Sequence, residues 1–305
     1  MQNQARNSIL VTGAEGFLGR AVTLLLERLG QPVIALDSIV PRSVSDSEST
    51  IKVACDIRNH ARMERIFEEH GLGAIIHLAA MLPTAAQRDP VLATQVNVEG
   101  SLNLLELATR FGVRRFIFGS SLSVYGAYPA DHVVSEQDRT APGDVYGAAK
   151  LYVERMGAAF ASLPGMDFVS LRLGRVVGPG AHSTTSAWRS EIFELLQTDR
   201  PAEIVIPYIR SERVLLLHVE DAAKALVTLL QPSPLAHATY NAPCESWMVD
   251  DLSNQLQALN PHLRITLGDK HAEGNPRLVD FSRFRSEFEF AAVPVTERLR
   301  VAAGM

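Results

Sequence analysis

The chain has only two cysteines, Cys55 and Cys244, in 305 residues, far apart and outside any C-x-x-C or Cys/His cluster. That excludes a disulfide framework, leaves a zinc site without ligands so that no metal is expected, and suits a reducing cytosol. Long hydrophobic runs are also missing. No window approaches a membrane span, and the start "MQNQARNSILVTG" is polar with an apolar stretch too short for a signal peptide, so a soluble, unprocessed, cytoplasmic protein is expected. Charge of one sign does not accumulate: 29 basic residues face 34 acidic ones, net −5, without a basic block or acidic tail. Nucleic acid and anionic membrane surfaces are therefore not expected partners. There is no internal repeat or low-complexity tract. The length allows one large α/β domain or a main domain with a smaller appendage, and small-molecule work is the function class left.

What is present is an alternation of short β-branched runs with longer amphipathic stretches. Strands are predicted at "SILVT" (8–12), "PVIALD" (32–37), "IKVA" (51–54), "AIIHLA" (74–79), "RRFIFGS" (114–120) and "DFVSLRL" (167–173). Several are apolar without alternation, which implies burial on both faces and a parallel sheet. Apolar spacings of three and four predict helices at "FLGRAVTLLLERLG", "ARMERIFEEHG", "VLATQVNVEGSLNLLELATRFG" and "VYGAAKLYVERMGAAFASL". Beyond Gly178 the texture changes: "GPGAHSTTSAW" reads as a loop leading into a helix "SEIFELLQ", with further helices at 219–231 and 248–260.

"VTGAEGFLGRA" sets Gly13, Gly16 and Gly19 directly after the first strand and into the first helix. Glycines there allow a tight turn, bring backbone N–H groups to a pyrophosphate and let helix and strand pack closely; a ligand-free βα turn is the alternative. Asp37 ends the second strand 24 residues after Gly13, where its carboxylate can accept both hydroxyls of an adenosine ribose and would repel a 2′-phosphate. NAD is thus favoured over NADP. Arg42, five residues on, either softens that preference or is a solvated loop charge. The expected fold is a doubly wound parallel sheet of the Rossmann type.

In "DVYGAAKLYVE" Tyr146 and Lys150 stand at i and i+4, so both side chains leave the helix on one side. A nearby ammonium stabilises a phenolate, and so does an oxidised nicotinamide ring; together they would bring the phenol from about 10 toward neutrality. The tyrosine could then take a proton from a substrate hydroxyl as hydride leaves the same carbon. A surface pairing is the ordinary alternative.

Together with "TGAEGFLG", Asp37, "CDIRN", "HLAA", "VNVEGSLNLLELA", "FGSSLSVYG", "YGAAK", "LRLGRVVGP" and "HVEDAAKAL", these residues resemble the extended short-chain dehydrogenase/reductase family, the NAD-dependent epimerase/dehydratase group, over nearly the whole chain. The resemblance implies that Gly13, Gly16, Phe17, Leu18 and Gly19 hold the dinucleotide. Asp56 and Ile57 would flank its adenine, and Leu78, Ala79 and Ala80 its path behind the nicotinamide. Lys150 would also hold the nicotinamide ribose. Asn97 would fix the central helix against the site. Ser121 would hydrogen-bond the reacting oxygen, with Ser123 a second candidate. Ile57 and "LAA" also read as packing residues, and Asn97 as a partner for backbone groups. The resemblance further implies residues 1–177 as the NAD-binding domain, with 214–242 returning to it. Residues 178–213 and 243–305 would form a smaller substrate-binding region. A homodimer would pair the helices at 91–111 and 144–162.

Departures narrow the chemistry. Dehydratases of the group carry an Asp-Glu pair where this chain has Leu122 and Ser123, so dehydration is not expected. Nucleotide-sugar epimerases show Arg-x-x-Asn before "GP" and an arginine four residues before "HV"; here Arg172 is followed by Arg175, and Val214 takes the second place with Arg213 one position off. Arg175 suits a carboxylate gripped by two parallel hydrogen bonds, and Arg213 is a second substrate candidate; pairing with an acid or with water is the alternative for both. The expected activity is NAD-dependent oxidation of a secondary alcohol in a carbohydrate, best a small sugar acid. A nucleotide-sugar epimerase and a non-catalytic NAD sensor are the alternatives. His182 and Trp188 either close over substrate or are ordinary loop and helix residues. His77 reads as a satisfied core residue, His218 as a helix cap or packing residue, and Phe281, Phe284, Phe288 and Phe290 as core or dimer contacts.

Overall fold

The computed structural model describes residues 7–40, 49–162, 165–181, 186–231 and 234–305. Arg42 and His182 lie outside these. In chain order come β1 (Ser8–Thr12), α1 (Phe17–Arg28), β2 (Val33–Asp37), β3 (Thr50–Ala54), α2 (His60–Glu69), β4 (Leu72–His77), α3 (Pro83–Arg88), α4 (Pro90–Thr94), α5 (Gly100–Arg110), β5 (Arg115–Ser121), β6 (Val133–Val134), α6 (Val145–Ala161) and β7 (Asp167–Leu173). They are followed by β8 (Arg175–Val177), α7 (Trp188–Glu194), β9 (Ala202–Tyr208), β10 (Arg213–His218), α8 (Val219–Thr228), β11 (Thr239–Asn241), β12 (Glu245–Met248), α9 (Val249–Leu259), β13 (Leu263–Lys270), β14 (Leu278–Val279), α10 (Ser282–Phe288) and α11 (Val295–Ala302).

Seven strands form one parallel sheet in the order β11-β7-β5-β4-β1-β2-β3. The apolar runs are buried on both faces because helices cover both. In β1, Leu10 packs with Ile34, Phe116 and Leu104 on one face, while Ile9 and Val11 pack with Val22, Leu26 and Leu226 on the other. This is strand alternation hidden by uniform apolarity. Helices α1 and α8 lie together on the second face, and α2, α5 and α6 on the first. The strand order reverses between β1 and β4, which opens a crevice at the carboxyl ends of the strands.

The predicted helix over 91–112 is interrupted. Pro90 opens α4 with Asp89 as cap, its carboxylate accepting the Leu92 N–H at 3.0 Å, and a π-helical turn at Gln95–Glu99 joins α4 to α5. Asn97 sits in that turn, and such single-turn irregularities concentrate near functional sites.

After Gly178 the chain holds more strand than its Pro/Gly/Ser-rich texture predicts. Strands β8, β10 and β12 make a small sheet, and β9 pairs with β13. Beneath them Trp188, Ile192, Phe193, Val214, Leu216, Val249, Leu252 and Leu299 form a third core. Trp188 is thus a core residue, edge-on to Tyr208 at 6.1 Å, and does not cover a substrate. His218 accepts the Glu220 N–H at 3.3 Å as the cap of α8. Phe284 is fully buried against Tyr240, Phe288 and Phe290.

Candidate active site

The crevice is a cleft of about 1380 Å³ that runs from Asp37, Asp56 and Ile57 past the glycine loop to Ser121, Tyr146 and Lys150 and on to Arg175. A smaller recess of about 380 Å³ beside Val279 and Phe281 carries no comparable set of groups.

At the glycine loop the backbone packs closely on itself and on the segment after β4. Gly13 has φ 71°, and a side chain there would strike the Ala79 backbone nitrogen at 2.8 Å; a Cβ on Gly19 would stand 2.0 Å from the Gly13 carbonyl oxygen. Helix α1 starts at Gly16 with no side-chain cap and no acid in its first turn, so its leading N–H groups face the cleft uncapped by a side chain, as pyrophosphate binding requires. Arg20 donates to the Glu15 carbonyl at 3.3 Å and to the Gly180 carbonyl, and Gly180 donates its N–H to Glu194 at 2.7 Å. Asp37 accepts the N–H groups of Glu15 (3.0 Å) and Ser38 (2.7 Å), which fixes the carboxylate at the end of β2.

Asp56 is gripped by the Arg58 guanidinium at 2.6–3.1 Å, and that hydrogen bonding holds its carboxyl below the usual range. Arg58 also donates to Gln95 at 3.3 Å. Ile57 is buried beneath Gly100. Behind the cleft, Thr12 accepts the N–H groups of Leu78 and Ala79, each at 3.2 Å. Its hydroxyl proton therefore points to His77 Nδ1 (2.7 Å), leaving His77 Nε2–H for Ser101 (2.8 Å), whose hydroxyl donates to the Asn97 carbonyl (2.7 Å). Burial, then the Lys150 charge, pushes His77 down to about 3, so it is a neutral spacer. Asn97 does not line the cleft. Its side-chain amide accepts the Met81 N–H at 2.7 Å and donates to the Met81 carbonyl at 2.9 Å, clamping the segment that does.

Helix α6 brings up the reactive pair. Asp144 caps it by accepting the Gly147 N–H at 2.6 Å. Tyr146 is half-buried and Lys150 buried, with the Lys150 nitrogen 5.5 Å from the Tyr146 ring centroid. The ammonium donates to the Gly119 carbonyl at 2.7 Å and lies 4.5 Å over the Phe118 ring. Burial brings Lys150 down to about 7, with Glu154 opposing. The expected lowering of the phenol is not found in the protein alone. Burial raises Tyr146 above its ordinary value, Asp144 adds to this, and the charge that opposes it belongs to Arg189. Desolvation outweighs the neighbouring cation.

Ser121 Oγ accepts from both the N–H (3.2 Å) and the hydroxyl (2.9 Å) of Ser123, so its own proton is available to a ligand and Ser123 orients it. Arg175, on β8, donates to the Tyr208 hydroxyl at 3.2 Å and lines the cleft. Arg213 does not: it opens β10, and its guanidinium donates to Ser246 at 3.3 Å.

Sequence reasoning missed two groups. Under the site, Glu154 receives Ser120 (2.6 Å) and both edges of Arg172 (2.6 and 3.0 Å), and Arg172 donates on to Tyr125 (2.8 Å), which donates to Asn241 (2.8 Å). Glu154 stands one turn after Lys150, which was a readable signal. Arg189 and Tyr208 also line the substrate end, and no local pattern marks them.

A glycine-loop cleft that ends on a Tyr-x-x-x-Lys pair defines an NAD-dependent enzyme of the extended short-chain dehydrogenase/reductase type. The chain matches the NAD dependent epimerase/dehydratase family over residues 9–242 and belongs to it. It is 28% identical over 236 residues to a UDP-glucuronate 4-epimerase of Thermodesulfobacterium geofontis, covering 73% of this chain and 71% of that one. Against several UDP-glucose 4-epimerases the chain spans about half of their length. Among solved structures, a GalE-like L-threonine dehydrogenase of Cupriavidus necator superposes with a TM-score of 0.86 at 22% identity, covering 97% and 99% of the two chains. A Thermus thermophilus UDP-glucose 4-epimerase solved with NAD gives 0.81 at 24%, covering 97% and 98%. NAD is the cofactor.

Proposed function

We propose that the protein oxidises a secondary alcohol of a small sugar acid. The observation that carries this reading is that Ser121, Tyr146 and Lys150 share one cleft with Arg175, a guanidinium positioned for a carboxylate. Bound NAD supplies the hydride acceptor. Ser121 donates its hydroxyl proton to the reacting oxygen and so holds the carbinol beside Tyr146. Tyr146 takes the hydroxyl proton. Because burial raises the phenol in the protein alone, deprotonation depends on positive charge brought near it, from Lys150, Arg189 and the oxidised cofactor. Lys150, poised near 7, is protonated or neutral according to pH and holds the cofactor ribose from the same helix face. Asp37 accepts the adenosine ribose hydroxyls, and Asp56 and Ile57 border the adenine.

A second reading is favoured by the relatives, whose names include UDP-glucuronate and UDP-glucose 4-epimerases. In it the same residues oxidise a nucleotide-linked sugar transiently and return the hydride to its other face. The test is NADH formation with a panel of aldonates and uronates, using Tyr146→Phe as control. Turnover of an acid that Tyr146→Phe abolishes while NAD still binds supports the first reading. No acid turned over, together with interconversion of UDP-sugars without net NADH, supports the second. A Tyr146→Phe variant of undiminished activity refutes both.

A further inference from the structure

Several arginines withdrawn from water among the described residues hold carboxylates. Arg172 forks onto Glu154, Arg298 onto Asp221, and Arg283 faces Glu136. Among the described residues Arg20 and Arg213 instead donate to backbone carbonyls and to Ser246, respectively, and two more arginines, both at the Tyr146 end of the cleft, also stand without a carboxylate. Arg175 on β8 donates to the Tyr208 hydroxyl at 3.2 Å with its guanidinium carbon 5.3 Å from that ring centroid, and Arg189 on α7 donates to the Ser186 hydroxyl at 2.9 Å. Neither has a carboxylate partner among the described residues. Both line the end of the cleft that holds Tyr146, with Tyr208, Lys270 and Glu273 around them. The nearby Asp144 is engaged in capping α6.

The two guanidiniums act on each other. Burial lowers Arg189 most, and the Arg175 charge lowers it further. Two like charges sharing a desolvated recess are unfavourable until an anion enters, and forked donors match the planar oxygens of a carboxylate or the oxygens of a phosphate.

We propose that Arg175 and Arg189 together form an anion subsite that seats the negatively charged group of the substrate, with Arg189 a specificity-determining residue. The inference rests on reading the Tyr146 end as the substrate site. The shared ligand chemistry is an oxyanion, supplied by the carboxylate of a free sugar acid or by the diphosphate of a nucleotide sugar. A neutral polyol has nothing to offer the pair.

The test is equilibrium titration of the NAD-loaded protein with sodium D-gluconate, with UDP, and with sorbitol as the neutral control. It compares wild type with Arg189→Gln, Arg189→Lys and Arg175→Gln, each first checked for an unchanged melting temperature and NAD affinity. Loss of one fork should weaken the bound anion about ten- to hundredfold, with Lys rescuing part of it. Sorbitol binding should be the same in all four proteins. Gluconate binding that depends on Arg189 assigns the subsite to a carboxylate; UDP binding with that dependence assigns it to a diphosphate. The proposal is overturned if wild type binds neither anion, or if Arg189→Gln binds both as wild type does. If Arg189→Gln fails the folding check, Arg189→Lys decides, since unweakened binding there together with unweakened binding in Arg175→Gln refutes the clamp. The titration itself needs no turnover, and the NADH assay run on the same proteins separates the two readings. A protein that seats gluconate through Arg189 but oxidises no acid upholds the subsite and refutes the redox reading, whereas acid oxidation untouched by Arg189→Gln does the reverse.

Discussion

Lys150→Met should make the protein more stable while removing its activity. Lys150 is 4% exposed and titrates at about 7 instead of 10.5, because burial disfavours its ammonium. The folded state therefore binds this proton more weakly than the unfolded chain, and stability rises with pH between about 7 and 10.5. Below both values the penalty is constant, at about 5 kcal/mol. It is still close to that at about pH 6, and falls to about 2 kcal/mol at about pH 9. Methionine removes the charge and keeps most of the volume, at the loss of the hydrogen bond to Gly119, which returns about 1 kcal/mol. The net gain is then about 4 kcal/mol at about pH 6 and about 1 kcal/mol at about pH 9. For a chain of this length that corresponds to a rise in Tm of about 6 °C and about 2 °C respectively. Scanning calorimetry of the cofactor-free protein at the two pH values reads both numbers. A variant that melts at or below wild type at the lower pH, or whose advantage grows with pH, refutes the assignment of Lys150 as a desolvated ammonium.

Three further substitutions test the other parts of the site. Glu154→Gln leaves the Arg172 charge buried without its counter-ion and should cost about 3–5 kcal/mol, whereas Glu154→Leu combined with Arg172→Met should cost less, both read as denaturant midpoints. Gly19→Ala puts a methyl group against the Gly13 carbonyl and should abolish NAD binding measured by titration; binding at wild-type strength would show that α1 does not need its close approach. Asp37→Ala should weaken NAD about tenfold or more by removing a charged acceptor, and should narrow the preference over NADP, as parallel titrations of the two cofactors will show.

Much of the first two-thirds was legible because its signals are local. A β-branched run, a glycine turn and an amphipathic helix each follow from neighbours in sequence, and β1, α1 and β2 formed close to where those signals lay. Gly13, Asp37, Tyr146 and Lys150 were readable because the turn, the strand end and one helix face fix where they point. The interruption at Gln95–Glu99 was not readable, since the apolar spacing runs on through it and the cause is a distant partner, the Met81 backbone held by Asn97. The strands from β8 onward were missed for a related reason: β8 and β12 are only three and four residues long, β9 and β13 are partly exposed, and each meets its partner only through the fold. Arg189 belongs with them. Its place at the cleft comes from where the fold sets α7, far from Tyr146 in sequence, whereas the guanidinium of Arg213 turns to Ser246. The phenol was misjudged because a pair of residues on a helix says nothing of how much water the fold removes from them.

The span made by Arg20 ties the helix after the glycine loop to a segment far along the chain. Its stem belongs to the first turn of α1 and its head rests on Gly180, in the loop that leads to α7, 160 positions away in the chain. The turn whose leading N–H groups face the cleft and the segment ahead of Arg189 are thus joined through one side chain.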